Sequence, residues 1–171
     1  RACTARCECN VALTRSTNVI TGGLGGLGQR AARLLADGGA ACVVLSSRSG
    51  RVGRQSGPCV AARVMAADGG EAADTLSLLG HVAPTCVLHA AGVLCDRMLR
   101  ATTAQILGIP FASKALAASH VDAAVARTPL EGLVLFSSGA STIGNVGQTN
   151  YAAANAYLDA LALSRRISGR L

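Results

Sequence analysis

The chain has 171 residues, the length of one domain and enough to bury a core without disulfide or metal staples. Half of the residues are apolar and 15% are charged, which excludes a disordered chain. With 2% aromatics and no Trp, a stacking platform for single-stranded nucleic acid is excluded too, and the net charge of +7 rests on 15 arginines scattered from Arg1 to Arg170 against one lysine, Lys114.

Residues 1–17 carry no periodicity and read as a leader or the tail of a preceding segment, which leaves 18–171 as the domain. Asn18–Thr21 is a short apolar strand running into Gly22–Gly28. Gln29–Asp37 has a helical pattern closed by Gly38 and Gly39. Ala41–Ser46 is a continuous buried strand, followed by a Gly- and Arg-rich loop over Arg48–Pro58. Ala62–Ala67 is a weak strand, Ala72–Leu79 a short helix and Thr85–Ala90 a third clear strand. Arg97–Leu107 and Ser113–Arg127 read as helices, Gly132–Ser137 as a buried strand and Tyr151–Arg166 as a long helix. Strands alternating with helices predict an α/β fold, a Rossmann-like doubly wound parallel sheet.

Seven cysteines are an odd number at irregular spacing. Cys42 and Cys86 lie in apolar runs and read as small hydrophobes. Cys3, Cys7 and Cys9 have no second thiol pair at zinc-like spacing, so no metal site is expected. There is no signal-peptide pattern and no apolar run of the ~18–20 residues a membrane span needs. The expectation is a protein of a reducing compartment, cytoplasm or organellar stroma, neither secreted nor bound to membrane or nucleic acid.

The segment Thr21-Gly22-Gly23-Leu24-Gly25-Gly26-Leu27-Gly28 follows a strand and opens a helix. Glycine lets backbone approach a pyrophosphate, and the helix N-terminus offers free N–H groups and partial positive charge. Two registers fit: Gly23, Gly25 and Gly28 as GxGxxG, or Gly22, Gly26 and Gly28 as GxxxGxG. After the second strand, an acid would hold the ribose hydroxyl of NAD; here stand Ser46, Ser47 and Arg48. A guanidinium and a hydroxyl suit a 2′-phosphate, so NADPH is the expected cofactor.

Tyr151 and Asn155 share one helix face, Ser138 follows a buried strand thirteen residues before Tyr151, and Lys114 lies on an earlier helix. Strand ends converge on the cleft of an open parallel sheet, so Ser, Tyr and Lys could meet there.

At these residues the chain resembles the ketoreductase domain of a modular polyketide synthase, within the short-chain dehydrogenase/reductase superfamily. The resemblance runs through TGGLGGLG, SSRSG (Ser46–Gly50), LHAAGVLCD (Leu88–Asp96), LFSSGASTIGNVGQTNYAAANAYLDALA (Leu135–Ala162) and the lone Lys114. Ordinary members of the superfamily carry Tyr-x-x-x-Lys; polyketide ketoreductases place Asn after the Tyr and Lys on the earlier helix, as here. The resemblance implies Tyr151 as general acid, Lys114 as the charge that favours phenolate and holds the nicotinamide ribose, Ser138 as donor to the substrate carbonyl, and Asn155 as the residue that positions Lys114 and a relay water. It implies that Ala90, Ala91 and Gly92 pack beside the cofactor, and it matches Asp68 to an adenine contact. His89 is expected to have no catalytic role.

The implied substrate is a β-ketoacyl thioester on an acyl carrier protein, with other synthase domains as partners. Carrier proteins are acidic, which suits a basic chain. The subtype giving the D-alcohol carries Leu-Asp-Asp after HAAG; this chain has Leu94-Cys95-Asp96. The opposite subtype carries Trp where Ile143 stands. A D-alcohol is therefore expected.

Two departures from the family bear on activity. Arg48–Ala61 shows no helical period, so the helix between strands two and three is expected to be lost and the third strand to be loose or missing. The chain also stops after the helix of Tyr151, which predicts a domain incomplete at its C-terminus with an exposed sheet edge. A catalytically silent NADPH-binding remnant is the alternative to an enzyme. A free-standing short-chain dehydrogenase is a third reading, opposed by Asn155.

Overall fold

The computed structural model describes residues 16–52 and 62–170. Five strands form one sheet: β1 (Thr17–Thr21), β2 (Cys42–Ser47), β3 (Arg63–Ala66), β4 (Cys86–His89) and β5 (Gly132–Leu135). Their order is β3-β2-β1-β4-β5, and every pairing is parallel. The doubly wound parallel sheet expected from the sequence is thus the architecture observed.

β1 is the centre of the sheet, and helices cover both of its faces, so its apolar residues run without polar alternation. Val19 and Ile20 are each 0% exposed and point to opposite sides. Val19 joins Val44, Val87, Leu78, Leu79, Val121 and Val125 on one face, while Ile20 joins Val43, Leu45, Leu88, Ala31 and Ala32 on the other. Each buried Val, Leu or Ile among them contributes roughly 1.5–3 kcal/mol by leaving water. The first face is covered by α2 (Ala72–Val82) and α4 (Ala117–Ala124), the second by α1 (Gly26–Asp37).

β3 is present, pairing with β2 from Val44↔Arg63 to Ser47↔Ala66. This corrects the expectation of a loose or missing third strand. One backbone bond and one packing contact extend the pairing at its carboxyl end: Ala67 N–H donates to the Ser47 carbonyl, and the Gly50 turn packs against Ala66. Of the connection whose helix was expected to be lost, residues 53–61 lie outside the described residues.

The predicted helix Arg97–Leu107 is also corrected. Leu99–Ala101 is one 3-10 turn, and α3 (Ala104–Phe111) begins only where the Thr103 hydroxyl caps it by accepting from Ile106 N–H. The two helices read from the sequence, ending at Leu107 and starting at Ser113, are joined without a break. α3 runs through Pro110 into a π turn (Ala112–Leu116) and on into α4. Proline has no N–H, so the carbonyl of Ile106 loses its helical donor. Asn150 Nδ2 donates to that carbonyl instead, at 3.1 Å. A short helix α5 (Ala140–Ile143), not foreseen, follows β5 and leads to α6 (Thr149–Ile167), which packs on α3 and the π turn.

Candidate active site

The strand order reverses between β1 and β4, so the loops leaving their carboxyl ends diverge and open a crevice. A cavity of about 240 Å³ sits there. Its walls come from the β1 turn (Thr21, Gly22, Gly25), the β2 end (Ser46, Ser47, Arg48), Ala67–Gly70 after β3, and His89–Val93 after β4.

The glycine turn is built for close approach. Gly22 has φ +67°, and a Cβ there would stand 2.5 Å from Ala91 Cα. A Cβ on Gly28 would meet Gly23 Cα at 2.6 Å, holding α1 against the strand it follows. Gly26, the first residue of α1, faces open space. Of the two registers, Gly22-xxx-Gly26-x-Gly28 thus has a steric reason at its first and last glycines and a free helix N-terminus in the middle. Gly23 is packed on Leu45, and Leu24 tucks against the apolar layer under α1. Leu27 is exposed.

Asp68 shapes its loop by accepting from Gly70 N–H with Oδ1 at 2.9 Å. Thr21, expected among the cofactor contacts, lines the cavity but commits its hydroxyl to His89 Nδ1 at 2.7 Å.

The second half of the site lies between the π turn, β5 and α6. Lys114 Nζ donates to the Phe136 carbonyl at 2.8 Å and lies 5.4 Å from the centroid of the Tyr151 ring. Gly92 gives Lys114 its passage: a Cβ at position 92 would stand 2.9 Å from Lys114 Cε. Burial lowers the lysine pKa from its ordinary value, and the carboxylate of Asp159 opposes that shift. Ser138 stands just beyond β5, and its hydroxyl accepts from Ala140 N–H at 3.2 Å as α5 begins. Asn155, expected to position Lys114 and a relay water, donates through Nδ2 to the Tyr151 carbonyl one turn back, at 2.8 Å. Its Oδ1 is buried with no partner among the described residues.

Residues 16–170 match the family of the KR domain. The chain belongs to the KR-domain family. It is 42% identical over 173 residues to polyketide synthase GfsA of Streptomyces halstedii, covering 94% of this chain and 2% of that protein. An A-type ketoreductase structure from a modular polyketide synthase superposes with TM-score 0.84 at 38% identity, over 92% of this chain and 36% of the other. The first ketoreductase of the tylosin synthase gives 0.81 at 35%, over 91% and 36%. The KR chain thus spans about one third of these solved ketoreductases and a small part of the synthase.

KR domains are oxidoreductases of the short-chain dehydrogenase/reductase superfamily and bind a nicotinamide cofactor. The residues present fit that group. Glycines where a Cβ would fill the β1–β4 cradle, an open helix N-terminus at Gly26 and the exposed Arg48 guanidinium offer room, dipole and charge to a phosphorylated ligand.

Leu94, Asp96 and Ile143, the residues expected to bear on stereochemistry, sit on one loop and its neighbour. Asp96 accepts from Gln148 Nε2 at 3.1 Å, the Cys95 carbonyl accepts from Asn150 Nδ2 at 2.9 Å, and Arg97 N–H donates to the Gly147 carbonyl at 2.8 Å. Leu94 is left exposed, as is Ile143 at the end of α5. Asn150 and Gln148 were not foreseen as site residues. Their polar type beside Tyr151 was visible, but not the carbonyls they reach. Among the described residues no His/Cys/Asp/Glu group could hold a metal, and no helix is long and apolar enough to cross a membrane.

Proposed function

We propose that this KR domain reduces a β-ketoacyl thioester, carried on an acyl carrier protein of the same synthase, to the β-hydroxyacyl form with NADPH. The observation that carries the reading is Lys114 Nζ tethered to the Phe136 carbonyl and facing the Tyr151 ring, two residues before Ser138 at the same strand end.

Gly22, Gly25, Gly26 and Gly28 would seat the pyrophosphate, Ser47 and Arg48 the 2′-phosphate, Asp68 the adenine end and Ala90–Gly92 the nicotinamide side. When bound, the cofactor supplies the hydride for the carbonyl carbon. As that carbon is reduced, negative charge develops on its oxygen. The Tyr151 hydroxyl donates the proton that oxygen needs, and the Ser138 hydroxyl donates a hydrogen bond to it. The Lys114 ammonium stabilises the phenolate left behind. Asn155 Oδ1, a buried acceptor, is oriented by the amide group's other bond to Tyr151 and would take the water that returns a proton to the site.

The loop Leu94–Asp96 is tied to the segment before Tyr151, and its likeness to the Leu-Asp-Asp motif, with Ile143 where the opposite subtype has Trp, favours a D-alcohol product. The carrier protein is acidic in this reading and meets a chain of net charge +7. NADPH oxidation with a model β-ketoacyl thioester, beside Tyr151→Phe, tests the assignment, and chiral analysis of the alcohol tests its stereochemistry. Turnover that survives Tyr151→Phe would remove Tyr151 as the acid. Tight NADPH binding without turnover would leave the silent remnant as the function.

A further inference from the structure

His89 ends β4, is fully buried, and has no part in the chemistry just described. We propose that His89 is a positioning residue that sets Lys114 by holding its backbone carbonyl. His89 Nε2 lies 3.1 Å from the Lys114 carbonyl oxygen, and Nδ1 lies 2.7 Å from the Thr21 hydroxyl. A carbonyl only accepts, so Nε2 carries the proton, Nδ1 accepts, and the Thr21 hydroxyl donates. The Lys114 carbonyl therefore dictates the tautomer, Thr21 supplies the donor that Nδ1 then needs, and the imidazole links β1, β4 and the π turn in one line.

A π turn spaces its backbone bonds five residues apart and is seldom held by propensity alone. Here one of its carbonyls is gripped by a side chain packed in the sheet. Lys114 is then tied at both ends, its carbonyl to β4 through His89 and its ammonium to the residue after β5 through the Phe136 carbonyl. The imidazole is suited to the task because it stays neutral: burial, reinforced by the nearby lysine charge, pushes its pKa down to about 4. The other titratable groups facing Lys114 are Tyr151 and Asp159, both on α6. The consequence for turnover rests on the function proposed above; the placement of Lys114 does not.

The chain has one lysine, so isotope-labelled lysine gives a single set of side-chain signals whose titration reports Lys114 alone. His89→Leu keeps apolar volume and removes the donor; His89→Gln keeps a donor at similar reach. The Lys114 midpoint is expected to rise by about one unit in His89→Leu, as the side chain regains water, and to return to within about 0.3 unit of the unsubstituted chain in His89→Gln. Where the chain turns over a β-ketothioester, kcat falls about tenfold in His89→Leu with KM held, and His89→Gln recovers it. An unchanged midpoint in folded His89→Leu, or equal shifts in both variants, overturns the proposal and makes His89 a space-filler. Should His89→Leu not fold, Thr21→Val removes the donor that anchors His89 Nδ1, and the Lys114 midpoint must rise in the same direction or the proposal fails. Absence of turnover in the unsubstituted chain counts against the proposed function and leaves the lysine readout standing.

Discussion

Asn150 Nδ2 donates to the carbonyl of Ile106, the one acceptor in α3 that Pro110 leaves without its helical N–H. The same amide group donates to the Cys95 carbonyl and accepts from Tyr151 N–H. One buried side chain thus repairs the helix that leads to Lys114, anchors the loop of Leu94 and Asp96, and starts the helix of Tyr151. Asn150→Ala leaves buried carbonyls without donors and is expected to cost about 1–3 kcal/mol in denaturant unfolding. Pro110→Ala restores the N–H to Ile106 and should recover part of that loss in the double variant. Strictly additive effects of the two substitutions would show that the carbonyl is not shared.

The glycine turn predicts a split between folding and binding. Gly22→Ala forces φ +67° on a side chain that would collide with Ala91, so its melting temperature falls. Gly26→Ala meets no protein atom and keeps the fold, while its methyl occupies the approach to the α1 N-terminus. NADPH affinity by titration calorimetry should drop about tenfold or more in Gly26→Ala. Full affinity in that variant would place the pyrophosphate elsewhere.

Arg48 is exposed beside Ser47 on the cavity wall. Removing its guanidinium in Arg48→Ala costs NADPH a charge-assisted bond of about 1.5–3 kcal/mol, so the preference for NADPH over NADH narrows by about tenfold to a hundredfold. The measurement is kcat/KM or affinity with each cofactor. A preference that does not move would assign the 2′-phosphate to another group.

His89 also makes stability depend on pH in a defined window. Its folded pKa, about 4, lies below the ordinary 6.5. Between these values the unfolded chain binds the extra proton, so stability rises with pH through the window and is lost as pH falls from 6.5 toward 4. The slope from this group is at most about 1.4 kcal/mol per pH unit. Urea midpoints measured across the window should show this slope in the unsubstituted chain and its loss in His89→Gln. An equal slope in both would trace the dependence to carboxylates.

Much of the fold was legible in the sequence because its signals are local. The apolar runs around Val19, Val43 and Val87 mark strands covered on both faces, and Thr21–Gly28 marks a turn into a helix wherever it folds. Lys114, Ser138, Tyr151 and Asn155 stood out by type and spacing, and the structure gathers Lys114, Tyr151 and the end of β5 around one point. Tertiary structure alone decided how Lys114 is held. Its partners are the backbone carbonyl of Phe136 and, through its own carbonyl, the ring of His89, while Pro110 is tolerated only because Asn150 reaches across from another helix. Every residue has a carbonyl, so an acceptor leaves no mark in the sequence. Only the packing of distant segments determines which carbonyl lacks its donor and which side chain replaces it.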